Sequence, residues 1–128
     1  MTPSIRTPLA RARGLGAAKS GTDHFWEQRL TSIALVPLTF AAIVIVIALV
    51  GRNHAAAVQI LGSPWVAITM LLFIFATVYH MKLGLQSVLE DYVHGKGLKA
   101  ALLIGNVFLC AVLWLACTYA ILKLSFGV

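Results

Sequence analysis

Three long apolar runs constrain this chain more than any other feature. They lie at about residues 30–50, 65–89 and 98–122. A helix needs about 20 apolar residues to cross a hydrocarbon core of about 30 Å. The chain is 60% hydrophobic and only 11% charged, whereas soluble domains carry about 25% charged residues. We therefore predict an all-α integral membrane protein with three transmembrane helices, and the apolar runs argue against a small soluble enzyme.

Basic residues are concentrated on one side of this predicted topology. Of the ten Lys and Arg residues, seven lie before or at Arg29 or in the connection between the second and third runs. Cytoplasmic segments of membrane proteins carry an excess of Lys and Arg, so the asymmetry predicts a cytoplasmic N-terminus. A basic tail is also typical of nucleic-acid binding, but here it directly precedes the spans. We expect the lipid bilayer, and no nucleic acid, as its partner.

The chain divides into a basic cytoplasmic N-terminal segment, residues 1–20, and a three-helix transmembrane anchor domain, residues 21–128. The first segment has no apolar core of the kind that a secretory signal peptide requires. It is rich in Arg, Ala, Gly and Ser and contains no acid, which also suits a mitochondrial transit peptide. Because the segment is short and the spans follow at once, we favour the bacterial inner membrane over the mitochondrial inner membrane.

Local signals predict where the helices begin, bend and end. Residues 20–23 offer N-cap side chains for the first helix, and Pro37 predicts a kink inside it. Residues 55–61 are expected to form a short surface helix. Ser63 and Pro64 suit the cap and first position of the second span, and residues 94–97 contain two glycines that favour its end.

A stripe of small and polar residues follows one face of the second span. Because a helix advances about 100° per residue, His80, Gly84, Ser87 and Asp91 fall on this stripe. His80 lies about 16 Å deeper than Asp91 along the helix axis. Ionisable groups within a membrane span are costly and usually functional. The stripe therefore predicts a functional site with an imidazole in the apolar zone and a carboxylate at the rim.

His80 has two interpretations. It is either an interhelical packing residue held by a hydrogen bond or an axial ligand of a haem iron. Gly84, one turn further on, removes side-chain bulk where a flat macrocycle would lie. Since no other histidine of the chain is at a similar depth, a second axial histidine would have to come from another chain.

The residues near the rim also allow two interpretations each. Tyr92 and Asp91 are either an interfacial anchor beside a solvated acid or part of a quinone site, in which Tyr donates to a quinone carbonyl and Asp helps to deliver protons. Arg29 contacts lipid headgroups or a haem propionate, which its planar guanidinium suits. Lys82 points about 200° away from the His80 stripe, towards the rim or another subunit.

Other kinds of site are not indicated by the sequence. We find no glycine-rich phosphate loop, no metal-binding cysteine pair and no nucleophile elbow. Cys110 and Cys117 lie about 10 Å apart along one predicted helix, which is too far for a disulfide between them. No residue of this chain is therefore expected to be catalytic by itself.

The motif in the second span resembles a known family. A His, a Gly four residues later, a Gln and then Asp-Tyr are found here as His80, Gly84, Gln86, Asp91 and Tyr92. This spacing resembles the hydrophobic membrane anchor subunit of succinate dehydrogenase, the D-type anchor of respiratory complex II. The stretch from residue 20 to residue 38, which includes Arg29 and Thr31, is also similar to alphaproteobacterial and mitochondrial-type anchors.

The resemblance implies a function and a set of partners. His80 would be one axial ligand, to the iron of a b-type haem shared with a companion cytochrome b subunit, and Arg29 would lie near the haem propionates. Tyr92 and Asp91 would line the ubiquinone site, near the iron–sulfur subunit. The flavoprotein and iron–sulfur subunits would carry the succinate chemistry. The alternative is a haem-free structural anchor or accessory small membrane protein, with His80 as a packing residue, and the direction of the reaction stays open.

Overall fold

The computed structural model of the protein describes residues 7–9 and 19–127. Four helices follow one another along the second of these ranges: α1 (Lys19–Leu49), α2 (His54–Gly62), α3 (Pro64–Tyr92) and α4 (Lys96–Phe126). No strand occurs within the described residues, which confirms the all-α class. The predicted basic segment at residues 1–20 lies mostly outside the described part of the chain.

Three of these helices are long and apolar enough to cross a membrane. Within the described ranges they are Asp23–Leu49, Pro64–Tyr92 and Lys96–Phe126, which confirms the three predicted spans. Each exceeds its predicted apolar run because the helix continues into the polar residues at the rim. The orientation of the N-terminus stays a prediction.

The helix ends agree only in part with the local signals. The helix α1 begins at Lys19, so the prediction that residues 20–23 cap it is wrong: they lie inside the helix. It also continues without a break through Pro37. The connection between α3 and α4 is shorter than predicted, since Lys96 and Gly97 already belong to α4 and glycine is tolerated in the first turn of a helix.

The short connector between the first two spans folds as predicted. Residues 54–62 form α2, and the Asn53 side chain caps it by accepting a hydrogen bond from the Ala56 amide at 2.9 Å. Ser63 stands at the N-cap of α3 with Pro64 directly after it, although the Ser63 side chain makes no capping hydrogen bond. The proline fits there because the first helical position needs no backbone donor.

The central helix of the bundle is α3, which packs against α1 on one side and α4 on the other. Its buried positions include Ala67 and Ala76, so the neighbouring backbones approach closely, as is usual between helices in lipid. Most large apolar side chains remain exposed on the chain by itself. Cys110 and Cys117 are both free, as predicted.

Candidate functional site on helix α3

His80 faces α1 from the middle of the α1–α3 interface. Its side chain is half-buried, and its Nδ1 lies 3.0 Å from the Thr31 hydroxyl oxygen of α1. Thr31 also bonds back to its own helix, where its hydroxyl oxygen lies 2.8 Å from the Glu27 carbonyl and 3.0 Å from the Gln28 carbonyl. The first span therefore holds the imidazole of the second from one side.

Open space lies one turn further along the same face of α3. A Cβ atom added to Gly84 would have no heavy atom within 4 Å, its own helix backbone apart. The described part of the chain thus leaves room beside His80 where a bulkier residue would project. This observation fits a flat ligand against α3, as the sequence motif led us to expect.

Towards its C-terminal end α3 carries the remaining residues of the motif. The helix is unbroken from His80 to Tyr92, so the predicted stripe exists on one continuous element. Ser87 turns its hydroxyl back to the Leu83 carbonyl at 3.1 Å. Asp91 is exposed, and Tyr92 is 77% exposed in the last turn. Both rim side chains are therefore accessible to a ligand or another subunit.

Arg29 is not brought into contact with His80. Its guanidinium carbon lies 5.0 Å from the centre of the Phe25 ring on the same helix, and the residue is exposed. Arg29 precedes Thr31 by two residues, so it lies about 3 Å away along the axis and about 200° around α1. It shares the depth of the Thr31–His80 pair but points away from it.

Two residues of the α1–α3 interface were not predicted from sequence as parts of the site. Thr31 was named only as part of the stretch that carries the family resemblance, and its bond to His80 was not predicted. His24 was not assigned to the site, yet its Nε2 lies 3.3 Å from the Leu83 carbonyl of α3. The signal was available: His24 and Thr31 are seven residues apart, which puts them on one face of α1 two turns apart.

The other side of α3 has a different character. Asn106 of α4 is buried and donates from Nδ2 to the Lys82 carbonyl at 3.0 Å. The Lys82 ammonium lies 5.5 Å from the centre of the Tyr79 ring. Lys82 also lines a cavity of about 170 Å³ between α3 and α4, together with Cys110 and Trp114 among others. Lys82 thus points to the opposite side of α3 from His80, as predicted.

A metal site made by this chain alone is not found in the described residues. No three His, Cys, Asp or Glu side chains among them come close enough to hold an ion.

Comparison with known proteins decides the family. A family model described as "Succinate dehydrogenase/Fumarate reductase transmembrane subunit" matches residues 3–119. The chain belongs to this succinate dehydrogenase/fumarate reductase transmembrane subunit family. The resemblance inferred from the His80 motif is thereby confirmed.

Curated relatives in this family are named as succinate dehydrogenase hydrophobic membrane anchor subunits. The protein of Paracoccus denitrificans is 31% identical over 94% of this chain and 93% of its own length. That of Rickettsia bellii is 32% identical over 81% of this chain and 83% of its own length. The succinate dehydrogenase membrane anchor subunit of Reclinomonas americana is 29% identical over 61% of this chain and 68% of its own length.

No solved structure matches the chain significantly. The three apolar helices and the bacterial relatives identify this family member as a multi-pass protein of the bacterial inner membrane.

Proposed function

We propose that the chain is the membrane anchor subunit of a succinate:ubiquinone oxidoreductase. It would dock the flavoprotein and iron–sulfur subunits to the membrane, share a b-type haem with a companion cytochrome b subunit and help to form the ubiquinone site. The observation that carries this proposal is the single continuous helix α3, which places His80 against α1 and Tyr92 at the exposed rim. The chain would have no activity alone.

His80 fits the role of an axial haem ligand. Its ring is half-buried beside the open space at Gly84, and its Nδ1 is engaged by Thr31. A bis-histidine haem supplies a one-electron carrier. The second ligand would come from the cytochrome b subunit, because the Nε2 of His24, the other histidine at this interface, contacts the Leu83 carbonyl.

Arg29 would bind a propionate of the same haem through its positive charge. It lies near the depth of His80 and is exposed, so its guanidinium is available to a propionate at the edge of the macrocycle. The forked donors of Arg suit a carboxylate. Its contact with Phe25 limits the directions that the side chain takes.

Tyr92 and Asp91 fit the rim of a ubiquinone site. The Tyr92 hydroxyl would donate a hydrogen bond to a quinone carbonyl, and Asp91 would hold water or a basic partner from which protons are delivered. Quinone reduction takes up two protons with two electrons, so a position at the water boundary suits the chemistry. Their exposure on this chain leaves one wall of the site for other subunits to complete.

The haem role is tested by removing the imidazole from the assembled complex. His80→Ala should abolish or strongly alter the reduced-minus-oxidised spectrum of haem b. His24→Ala is the matched control, because His24 is the second histidine at the α1–α3 interface, and it should leave the spectrum unchanged. An unaltered spectrum in His80→Ala would remove the haem assignment.

The quinone role is tested by removing one hydroxyl. Tyr92→Phe should lower succinate:quinone activity while succinate oxidation with a soluble dye is spared. Tyr119→Phe is the control, since Tyr119 is similarly exposed but lies near the far end of α4. Wild-type quinone reduction by Tyr92→Phe would contradict the donor role.

A second candidate function rests on the Thr31–His80 hydrogen bond. That bond joins two spans, as packing histidines do in membrane proteins, and suits a haem-free structural anchor. The absorption spectrum of the purified wild-type complex separates the two candidates: a b-type spectrum lost in His80→Ala excludes the haem-free anchor.

A further inference from the structure

The Thr31 hydroxyl determines which nitrogen of His80 carries the proton. Its oxygen has three polar neighbours: the carbonyls of Glu27 and Gln28 and the Nδ1 of His80. The two carbonyl oxygens accept hydrogen bonds and cannot donate them. The Thr31 hydroxyl oxygen lies 2.8 Å from the Glu27 carbonyl oxygen and 3.0 Å from that of Gln28. Two oxygens at such distances repel each other unless a proton lies between them, so the hydroxyl proton is directed at these carbonyls.

With the Thr31 proton directed at its own helix, the contact with His80 runs the other way. The Thr31 oxygen must accept, so Nδ1 must donate. A neutral imidazole carries one N–H, and Nε2 is therefore left with its lone pair. No hydrogen bond of this Nε2 to another described residue is found. The two nitrogens of the ring diverge, so Nε2 points away from Thr31.

His24 shows the opposite arrangement at the same interface. Its Nε2 contacts the Leu83 carbonyl at 3.3 Å, and a carbonyl accepts only, so Nε2 of His24 is the protonated nitrogen. The α1–α3 interface thus fixes two histidines in different states. Of these two histidines, His80 is the one that keeps its Nε2 available as a ligand.

We propose that Thr31 is the positioning residue of the haem ligand: it fixes His80 in the Nδ1–H tautomer and so leaves the Nε2 lone pair free to bind the iron. This inference rests on the haem role proposed above. When the nitrogen that does not bind the metal donates a hydrogen bond, the orientation of a ligating histidine ring is fixed and its basicity as a ligand is raised. A more basic ligand favours ferric over ferrous iron, so Thr31 would lower the haem midpoint potential.

The test uses the assembled complex and a matched set of variants. Thr31→Val keeps the β-branched shape and removes the acceptor, whereas Thr31→Ser restores it. Thr69→Val is the control, because Thr69 also bonds back to its own helix, at the Trp65 carbonyl, and no hydrogen bond from it to another helix is found among the described residues. The readouts are the potentiometric midpoint of haem b and the electron paramagnetic resonance g-values of its ferric form, with haem content per flavin.

We expect Thr31→Val to raise the midpoint potential and shift the g-values. A tenfold change in the ratio of ferric to ferrous affinity corresponds to about 59 mV for one electron, and changes beside a metal ligand cost about tenfold or more in affinity. Thr31→Ser should return most of the shift and Thr69→Val should show none. If Thr31→Val does not assemble, the smaller Thr31→Ala is compared with Thr31→Ser in the same way.

Failure of this inference is distinguishable from failure of the proposed haem role. If His80→Ala loses the haem spectrum while Thr31→Val and Thr31→Ala keep the wild-type potential and g-values, the tautomer role of Thr31 is overturned and the ligand role of His80 survives. A shift that Thr31→Ser does not reverse also overturns it. If His80→Ala keeps its spectrum, both proposals are wrong.

Discussion

The two ends of the bundle are held together in different ways. In the half of the bundle nearer the connection between α3 and α4, which we call the loop end, helices are joined by side chains: Thr31 to His80, His24 to the Leu83 carbonyl and Asn106 to the Lys82 carbonyl. At the other end, called the α2 end, a side-chain hydrogen bond also occurs, from the Ser125 hydroxyl to the Gly62 carbonyl at 3.3 Å, but the closest approach is between backbones. Gly62 lies so close to α4 that a Cβ there would be 2.8 Å from the Leu124 carbonyl oxygen.

This difference separates what the chain needs for function from what it needs for packing. Polar side chains in a membrane span give directional contacts but little net stability, because the chain unfolded in the membrane also finds partners for them. Close backbone packing contributes dispersion contacts that depend on small residues. We infer that the loop end is specialised for holding a ligand and the α2 end for keeping the spans together.

The largest expected effect is at Gly84, on the loop end. Gly84→Leu should cost the complex most of its haem b, because the side chain would fill the space beside His80 that the chain leaves open. Gly105→Leu is the control, since Gly105 is also helical with open space around it. Haem per flavin measures the outcome, and equal loading of the two variants would contradict a macrocycle at Gly84.

At the α2 end the corresponding change should affect stability instead. Gly62→Ala forces a side-chain carbon against the Leu124 carbonyl, and overpacking of this kind costs about 1–3 kcal/mol. The midpoint of thermal unfolding in detergent should fall while the haem spectrum stays unchanged. Gly97→Ala, where a Cβ meets open space, should not lower it. A changed haem spectrum in Gly62→Ala would contradict the distinction between the two ends.

A smaller loss is expected when the polar contact between α3 and α4 is removed. Asn106→Leu takes away the donor to the Lys82 carbonyl, and interhelical hydrogen bonds in membranes contribute about 0.6 kcal/mol on average. The thermal midpoint should drop slightly. Thr118→Val is its counterpart: the Thr118 hydroxyl is buried with no partner in the described part of the chain, so its removal should be neutral or stabilising.

The smallest effect is predicted for His24. Its bond to the Leu83 carbonyl is long, and the residue is only half-buried, so His24→Leu should cost a few tenths of a kcal/mol by the same reasoning. His24→Gln keeps a donor and should lie between this variant and the wild type. Thermal unfolding ranks the three proteins. A loss for His24→Leu as large as that for Gly62→Ala would show that polar contacts stabilise the loop end as strongly as close backbone packing stabilises the α2 end.

The spans and the functional face of α3 were predictable from the sequence. Apolar runs long enough to cross a bilayer leave little alternative to helices, and the period of 3.6 residues places His80, Gly84 and Asp91 on one side of the helix. These features depend only on local geometry. The structure confirms the spans, and the continuous helix from Pro64 to Tyr92 keeps the motif residues on one element.

The contacts between spans were not predictable in the same way. Thr31 and His80 are 49 residues apart in the chain, and their meeting depends on how α1 and α3 rotate and slide against each other. Small residues such as Ala76 allow that approach but do not specify a register. The start of α1 was misplaced for another reason: residues 20–23 are good caps, but they are also tolerated inside a helix whose later turns stabilise it.

The length of α1 has a consequence for assembly on the membrane surface. Its 31 residues make a helix of about 46 Å, whereas the hydrocarbon core of the bilayer is about 30 Å thick. Aromatic rings prefer to lie among the lipid headgroups, so Phe25 and Trp26 are expected there, which would place the earlier residues of α1 outside the bilayer. A water-soluble subunit would thus contact the N-terminal turns of α1, which are already helical, at a defined distance from the membrane surface.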